Sequence, residues 1–376
     1  MSGRDLFAQK ATKGSAANRK VNRVDFKRAH MTNWLPAFAE RAAQAPVGPF
    51  YPALRKAISE AFGAFRASAQ GDCLPFAGSG DARRGRLLVW ERLIGRKLGR
   101  IDMLALHVLA SGSSGNAAVI ENTATGAGVL IDCGICKRDF LNRCDAAGFD
   151  PGRIQAMFVT HEHSDHVKGL GVVLRGLAKV GNVPPVFAAG ACTANSSALA
   201  KVAEAFDVRE LAAGPGTIEA AGMRIVPFAT SHDAAASFGF RIEDAADGDA
   251  IGYLTDSGIV TAQAHAALRD VRILALESNH DPKMLAAGPY PYVIKRRIAS
   301  NSGHLSNGQA AAELGTLVAE SRTAGLRLPQ TVVAMHVSQN NNEYSLVRRT
   351  LETALGEADC YAETLCGYQA RLTTAR

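Results

Sequence analysis

Long apolar runs and a regular set of cysteines are both missing from this chain of 376 residues. No apolar run approaches the roughly 18 residues that a membrane-spanning helix needs, so we expect no membrane contact. The first thirty residues hold eight Lys/Arg but no apolar segment, which is unlike a secretory signal. Seven cysteines is an odd and small number for this length. It argues against a disulfide framework and predicts a reducing, cytoplasmic location.

Acidic residues are scarce in the first quarter of the chain. Residues 1–102 carry 19 Lys/Arg against 8 Asp/Glu, a net charge of +11, whereas residues 103–376 carry 23 against 27, a net charge of −4. We therefore predict a basic N-terminal extension over 1–102, with a disordered tail and short helices, and a separate domain over 103–376. The extension is either a module for nucleic acid or a protein partner, or an appendage whose cations are only solvated. A third interpretation is that the natural product starts near Met103.

Short β-rich runs alternate with amphipathic stretches from Met103 onwards. The alternation is not a strict βαβ repeat, so it predicts a layered α/β domain. The predicted strands are 104–109, 117–121, 129–132, 156–159, 186–188, 223–228, 237–242, 250–255, 273–276 and 332–335. The predicted helices are 137–147, 167–177, 191–206, 307–321 and 345–355.

Five of the predicted strands lead into or towards an aspartate or a histidine. A core strand has no packing reason to deliver an ionisable residue to a loop repeatedly, so the pattern favours function over packing. The residues concerned are Asp132, His161, His232, Asp256 and His336.

The segment His-Glu-His-Ser-Asp-His at 161–166 is the strongest single signal. Imidazole nitrogens and carboxylate oxygens at close spacing, without cysteine, suit zinc, manganese or ferrous iron. Three histidines and an aspartate within six residues exceed the needs of one tetrahedral site, which predicts two metal ions. The alternative is a His-rich surface turn, which a lone His-x-His would favour but this complete motif after an apolar strand does not.

With this motif, residues 103–376 resemble the metallo-β-lactamase-fold hydrolases. The resemblance implies a four-layer αββα fold and two divalent cations, zinc or manganese, with iron as a further option. The implied ligands of the first ion are His161, His163 and His232, and those of the second are Asp165, His166 and His336. Asp256 would bridge both ions, and Asp132 would support the metal-binding loop without being a ligand.

A narrower similarity is to the YycJ/WalJ subgroup, single-domain proteins regarded as DNA exonucleases with a dinuclear metal centre. It rests on the segments LASGSSGN at 109–116, ESNHD at 277–281, GPYP at 288–291 and GHLSN at 303–307. The 24 positions from His232 to Asp256 leave no room for the tRNA-gripping arm of tRNase Z. The 80 positions from Asp256 to His336 leave none for the cap domain of the β-CASP nucleases.

Three residues are predicted to be catalytic. Asp165 is predicted to be catalytic in addition to being a metal ligand. His304 lies in a Gly-His-Leu-Ser segment that resembles the Gly-His-Ser/Thr setting of tRNase Z, and would donate the proton that the leaving oxygen needs. Glu277 resembles the carboxylate that orients that histidine. The alternatives are a helix-cap or packing histidine and a surface acid at a strand end.

Two segments are candidates for binding substrate phosphate. Ser306 and Asn307 begin a predicted helix, and the N-terminal N–H groups of helices bind anions. Lys295, Arg296 and Arg297 form the dense basic cluster of the acidic domain. They either clamp a DNA backbone or form a solvated helix face.

Two single residues complete the predicted substrate contacts. Asn116 ends the Gly/Ser-rich loop 111–116, which either lines the metal site or is an ordinary turn. His280 either contacts the substrate or pairs with Asp281 at a helix cap.

The sequence thus predicts a dinuclear metal-dependent phosphodiesterase, a 5′→3′ exonuclease with DNA rather than RNA as substrate, which uses a metal-bridging hydroxide. A second prediction is a hydrolase of small thioesters, lactones or cyclic phosphates, since the same metal site serves all of them. A third is a nucleic-acid-binding protein led by residues 1–102, with a structural metal centre. Glu277 and the basic cluster favour phosphate chemistry, and the complete ligand set argues against the third prediction.

Overall fold

The computed structural model describes residues 104–214 and 216–376. The predicted tail and short helices of residues 1–102 lie outside the described residues. Among the described helices, none combines the length and apolar character that crossing a membrane requires. The described elements are β1 (Leu104–Ala110), β2 (Ala117–Asn122), β3 (Ala127–Ile131), α1 (Lys137–Ala147), β4 (Ile154–Phe158), α2 (Ser164–Val167), α3 (Leu170–Ala178), β5 (Val186–Ala188), α4 (Gly190–Asn195), α5 (Ser197–Ala203), β6 (Val208–Glu210), β7 (Ile218–Ala220), β8 (Met223–Ala229), β9 (Phe238–Asp244), β10 (Ala250–Leu254), α6 (Ala262–Leu268), β11 (Ile273–Glu277), α7 (Pro282–Ala287), α8 (Tyr292–Ile298), α9 (Asn307–Thr323), β12 (Thr331–Met335), α10 (Tyr344–Glu357), β13 (Glu363–Cys366) and β14 (Thr373–Ala375).

Two seven-stranded sheets form the centre of the domain. The first has the strand order β14-β1-β2-β3-β4-β5-β6, and the second has the order β13-β12-β11-β10-β9-β8-β7. In each sheet one half is antiparallel and the other half, β3 to β6 or β10 to β13, is parallel. Because parallel strands end at the same edge of a sheet, residues that follow β3 and β4, or β10, β11 and β12, are delivered to a common edge.

Side-chain alternation in the second sheet separates two hydrophobic cores. In β11, Ile273 and Ala275 join the core that the two sheets share, whereas Leu274 and Leu276 join the core under α6, α9 and α10. Successive side chains point to opposite faces of a strand, so a strand covered on both faces is apolar throughout. Buried residues of α1, α3 and α5 cover the first sheet. The predicted four-layer αββα fold is confirmed.

The ten predicted strands are all present, with ends that differ by at most two residues. Four further strands, β6, β7, β13 and β14, were not predicted, and they are the outer strands of the two sheets. Each is three or four residues long and only partly buried, so its apolar alternation is too short to detect. The helices α6, α7 and α8, six or seven residues each, were missed for the same reason.

Two predicted helices are each divided into two. The prediction 167–177 corresponds to α2 and α3, which meet at Gly169, where the N–H donates to the Cys133 carbonyl and no side chain would fit. The prediction 191–206 corresponds to α4 and α5. They are separated by Ser196, which is extended and whose hydroxyl accepts the N–H of Leu199 to cap α5.

Candidate metal centre

Strands of both sheets end beside one group of polar side chains. β3 and β4 of the first sheet and β8, β10, β11 and β12 of the second all lead to it. Four histidine rings of this group meet edge to face or tilted, with ring centroids 4.1–5.0 Å apart. The residues delivered there are Asp132, His161, His163, Asp165, His166, His232, Asp256, Glu277, His304 and His336.

Three of these residues have a left-handed backbone. Asp132 after β3, Asp256 after β10 and His336 after β12 have φ angles of 57°, 53° and 51°. Asp and His enter this region more readily than most L-residues, but each such residue still costs on the order of 1–3 kcal/mol. The surrounding contacts must offset this cost, since the same unfavourable turn occurs at three of the converging strand ends.

The first group of donors comprises His161, His163 and His232. His161 Nε2 and His232 Nε2 lie 3.0 and 3.3 Å from His163 Nδ1. His232 Nδ1 donates to the carbonyl of Gly303 at 3.0 Å, which leaves its Nε2 as the unprotonated nitrogen. Three ring nitrogens that converge in this way suit a common cation.

The carboxylate of Asp256 lies between this group and a second one. Its Oδ1 is 3.9 Å from His232 Nε2 and 2.8 Å from His336 Nδ1, and its Oδ2 is 3.4 Å from His166 Nε2. Asp256 is only 2% exposed. A single buried carboxylate is therefore within reach of imidazoles from both groups.

The second group comprises Asp165, His166 and His336. Asp165 Oδ2 is 3.5 Å from His166 Nε2 and 4.0 Å from His336 Nε2. Both ring nitrogens of His336 are buried and neither makes a hydrogen bond of acceptable geometry, despite the short distance to Asp256. Unpaired buried nitrogens are costly, and a cation would satisfy them.

Asp132 supports the second group without joining it. Its Oδ2 accepts from His166 Nδ1 at 2.7 Å and from the Thr160 hydroxyl at 2.8 Å, and its Oδ1 accepts the Thr160 N–H at 2.8 Å. A proton on His166 Nδ1 leaves Nε2, which faces Asp165 and Asp256, available as a donor of electrons.

His304 and Glu277 form a pair beside Asp256. His304 Nδ1 is 2.8 Å from Glu277 Oε1, and Glu277 Oε2 accepts the N–H groups of Ser257 and Leu305 at 2.8 and 3.2 Å. The Glu277 side chain is fully buried, whereas that of His304 is 16% exposed. The pair holds the ring through Nδ1, so Nε2 is the nitrogen that can exchange a proton.

The buried carboxylates of the cluster need positive charge beside them. Burial opposes ionisation of Asp256, but the neighbouring His336 and His166 hold its pKa well below the usual range. Burial disfavours protonated His336, yet Asp256 raises the pKa of His336 to about 10. For His161, burial and the neighbouring His166 both act to lower the pKa. Protonated imidazoles thus balance the buried carboxylates here, which is the role that divalent cations would take over.

The donors fit divalent cations. In the described part of the chain, three sets have donor atoms within 4.8 Å of one another, and Asp256 belongs to two of them. Nitrogen and carboxylate donors without thiolate match the preferences of zinc, manganese and ferrous iron. The sets are His161–His163–His232, His161–His166–Asp256 and Asp256–Glu277–His304–His336.

The predicted phosphate-binding residues at α9 serve the start of that helix. The Ser306 hydroxyl caps α9 through the N–H of Gln309, and the Gln309 side chain returns to the Ser306 N–H. The Asn307 amide pairs with the amide of Asn342 in the interior. Both residues are buried, at 6% and 3% exposure. The Ser306 N–H donates to Gln309 Oε1 and the Asn307 N–H donates to the His280 carbonyl, so neither backbone N–H is free to bind an anion in this structure.

The predicted basic cluster lies on α8, next to the site. Arg297 pairs with Asp233, the neighbour of His232 in the chain, and Lys295 Nζ donates to the Ala286 carbonyl at 2.7 Å. Arg296 is exposed, with its guanidinium 5.9 Å from the ring centroid of Tyr292.

Asn116 and His280, the two remaining predicted substrate contacts, are both buried. The Asn116 amide donates to Asp165 Oδ2 at 3.2 Å and lies 3.0 Å from His166 Nε2, so it is placed among the donors. His280 is 2% exposed, and burial lowers its pKa to about 4. A histidine that is neutral at neutral pH is a poor proton donor, which leaves His304 as the better acid.

Two functional contacts escaped the sequence prediction. Thr160 connects Asp132 with the metal-binding loop, and its only signal is a hydroxyl residue between an apolar strand and the first histidine. The Ser111 hydroxyl accepts the N–H of His336 at 2.7 Å across 225 residues of sequence. Local sequence carries no signal for a contact of that range.

Comparison with known proteins also indicates a metal-dependent hydrolase. A family model described as a β-lactamase superfamily domain matches residues 128–326, slightly more than half of the chain. Exodeoxyribonuclease WalJ from Streptococcus pneumoniae is 31% identical over 254 residues, which cover 67% of this chain and 88% of that protein. Exodeoxyribonuclease YycJ from Bacillus anthracis is 28% identical over 275 residues, covering 68% and 90%.

The structure is also similar to that of a known member of the fold. The metallo-β-lactamase fold protein YhfI from Bacillus subtilis superposes with a TM-score of 0.52 at 16% identity, over 73% of this chain and all of YhfI. At this identity the likeness concerns the fold alone. Taken with the sequence matches, it shows that the chain belongs to the metallo-β-lactamase superfamily, as a metal-dependent hydrolase of the YycJ/WalJ type.

Proposed function

We propose that the protein is a dinuclear metal-dependent phosphodiesterase that degrades DNA from an end. The observation that carries this proposal is the position of Asp256, whose carboxylate reaches His232 on one side and His166 and His336 on the other. His161, His163 and His232 would hold one ion and Asp165, His166 and His336 the other, with Asp256 shared. Zinc and manganese fit these donors best, with iron as a further option.

The chain's own residues account for binding and proton transfer. Two divalent cations, when bound, would neutralise charge on a phosphodiester and activate water. Expulsion of an alkoxide needs a proton, and His304 is placed to give one from Nε2 because Glu277 holds its Nδ1. Glu277 is itself fixed by the two backbone N–H groups that its Oε2 accepts. The side chain of Asp165 is 21% exposed, so this ligand is accessible from outside the site.

DNA as the substrate is supported by the two relatives, both described as exodeoxyribonucleases. The 5′→3′ polarity and the preference for DNA over RNA are parts of the proposal that an assay must decide. End-labelled single- and double-stranded DNA and RNA, incubated with manganese, zinc or chelator, should show metal-dependent release of nucleotides from the 5′ end of DNA. Phosphorothioate linkages at the 5′ end should block digestion, whereas the same linkages at the 3′ end should not.

The matched control for this assay is a variant that lacks metal ligands but keeps the fold. The pair His161→Ala and His163→Ala should abolish release of nucleotides from DNA. Digestion that survives chelation or this double substitution would contradict the proposal. Rapid hydrolysis of small thioesters or lactones, with DNA left intact, would instead favour the small-molecule hydrolase.

We also propose that the basic extension over 1–102 adds affinity for DNA. Its net charge of +11 would release counterions on binding, a contribution that falls steeply with salt. Replacing the eight Lys/Arg of residues 1–30 by Gln should flatten the salt dependence of DNA binding while turnover at saturating DNA stays unchanged. An unchanged salt dependence of DNA binding would show that these cations are only solvated.

A further inference from the structure

Helix α8 is unusually exposed for an apolar segment. All seven of its residues are described and none is buried. Tyr292 and Val293 are 73% and 74% exposed and Ile294 is 37% exposed. Of nine large hydrophobic side chains exposed in the described residues, these three are consecutive. Contiguous exposed apolar residues mark a surface that binds something.

The end of α8 is fixed to the catalytic pair. The His304 N–H donates to the carbonyl of Ile298, the last residue of the helix, at 2.9 Å. Gly303 approaches the same turn so closely that a side chain there would collide with the Arg297 and Ile298 carbonyls. Tyr292 lies six residues before Ile298, about 9 Å along the axis at 1.5 Å per residue. That is the span of about two to three stacked nucleotides at about 3.4 Å each.

The charge of this helix points to the kind of partner. Lys295, Arg296 and Arg297 follow the apolar residues directly, in a domain whose net charge is otherwise negative. Arg296 stands 5.9 Å from the Tyr292 ring centroid, so a cation and an aromatic face are presented together. An aromatic platform flanked by cations is the combination by which proteins hold single-stranded nucleic acid: bases stack on the ring, and the cations attract the backbone.

We propose that the exposed face of α8, formed by Tyr292, Val293 and Arg296, binds the single-stranded end of the DNA substrate by stacking of its bases. The inference rests on the function proposed above and adds a stacking site to it. Because the carbonyl of Ile298, at the end of α8, accepts the N–H of His304, a strand stacked on Tyr292 would lead its next phosphate towards the metal centre. Double-stranded DNA, whose bases are already paired and stacked, would gain less binding affinity from this surface.

The test compares Tyr292→Ala with Tyr292→Phe and with Tyr361→Ala. Tyr361 is also highly exposed, at 88%, but lies before β13 and outside the site. The probe is single-stranded DNA with phosphorothioate linkages at its ends and 2-aminopurine within three nucleotides of the 5′ end. Wild type, Tyr292→Phe and Tyr361→Ala should quench the 2-aminopurine on binding. Tyr292→Ala should lose the quench and bind on the order of tenfold more weakly.

Turnover separates failure of this inference from failure of the proposed function. With an unmodified DNA end, Tyr292→Ala should raise KM for single-stranded DNA on the order of tenfold, with a smaller change for duplex DNA. If wild type digests DNA but Tyr292→Ala matches it in quench and KM, the inference is overturned and the proposed function stands. If wild type does not digest DNA, the proposed function itself fails.

Two other binding partners of this exposed helix, a second copy of the chain and a membrane, would give different results. A second copy would make the oligomeric state depend on Tyr292, and a membrane would make wild type bind anionic vesicles and Tyr292→Ala not. Either result, together with unchanged DNA binding by Tyr292→Ala, would overturn the inference.

Discussion

The two halves of the metal centre are built in different ways. The half contributed by the first sheet is local, since His161, His163, Asp165 and His166 lie within six residues after β4. The half contributed by the second sheet is assembled from the ends of β8, β10, β11 and β12 and the loop after α8, and spans the 105 residues from His232 to His336. A local turn can hold its shape by itself, whereas a distributed half depends on correct packing of the whole sheet. Substitutions in the two halves should therefore fail differently.

The largest effect is expected at Asp256, where the two halves meet. Asp256→Ala removes the carboxylate that reaches His166, His232 and His336. If it serves two cations, each worth several kcal/mol in the transition state, turnover should fall by about 10⁴ or more. Metal analysis after loading with manganese or zinc should show loss of at least one equivalent relative to wild type.

The matched control is Asp270→Ala. Asp270 also has a left-handed backbone, with φ 57°, but it precedes β11 at the end opposite Glu277. It should change stability through its contact with the N–H of Arg327 while metal content and turnover stay near wild type. Full metal content and near-normal turnover in Asp256→Ala would show that it does not bridge.

The second largest effect is expected at His304, and it should leave the metals in place. A lost proton donor slows only expulsion of the leaving alkoxide, by about 10²–10⁴. His304→Ala should therefore keep two metals and near-normal DNA affinity while DNA turnover collapses. Activity should largely recover on a nitrophenyl phosphodiester, whose aryloxide leaves without a proton.

His265 offers the control for this substitution. Its ring also pairs with carboxylates, Glu313 at 2.6 Å and Glu320 at 2.8 Å, but it lies on α6 outside the cluster. His265→Ala should digest DNA at the wild-type rate. Loss of a metal in His304→Ala, or equal damage on DNA and the activated ester, would make His304 a ligand or a substrate-positioning residue instead.

The same division between local and distributed structure limits what the sequence predicts. Central strands were predicted because both of their faces are covered, which gives unbroken apolar runs such as the one in β11. The outer strands β6, β7, β13 and β14 depend on pairing with distant partners. β14, for example, pairs with β1, about 265 residues earlier, so its three residues carry no local signal of strand structure.

The candidate site follows the same pattern. Spacing alone identifies His161 to His166, since the donors are neighbours in the chain. Glu277 and His304 were assigned from the resemblance, and their contact at 2.8 Å joins residues 27 positions apart. The assignments of Ser306 and Asn307 to substrate were made from helix position. Position does not reveal that their side chains are already used by Gln309 and Asn342.

A smaller effect on rate is expected at Glu277, with an added effect on stability. Its Oε1 faces His304 Nδ1, and its Oε2 accepts two backbone N–H groups. Whichever way the amide of Glu277→Gln turns, its NH₂ meets a donor, which should cost about 1–3 kcal/mol of unfolding free energy. DNA turnover should fall about 10- to 100-fold, less than in His304→Ala, with both metals retained.

Glu121→Gln is the control for Glu277→Gln. Glu121 lies 2.9 Å from buried His107 in the first sheet, so this variant changes another His–Glu contact away from the cluster. It should lower the denaturant midpoint without changing turnover. A Glu277→Gln variant as stable and as active as wild type would show that Glu277 does not orient His304.

The smallest effect is expected at Asp132, and it tests the local half. Asp132 accepts from His166 Nδ1 at 2.7 Å, which fixes the proton on that nitrogen and leaves Nε2 for a cation. In Asp132→Asn the amide oxygen can still accept the Thr160 N–H, but the NH₂ then faces His166. The ring would be driven to the other tautomer, with its proton on the ligand nitrogen. Metal affinity should fall about 10- to 100-fold, and excess metal should restore turnover.

The control is Asp244→Asn, which changes a buried aspartate bonded to Asn122 and should leave metal affinity unchanged. If Asp132→Asn binds metal normally in a titration, His166 is oriented by the loop alone, and the local half of the centre does not need its supporting carboxylate.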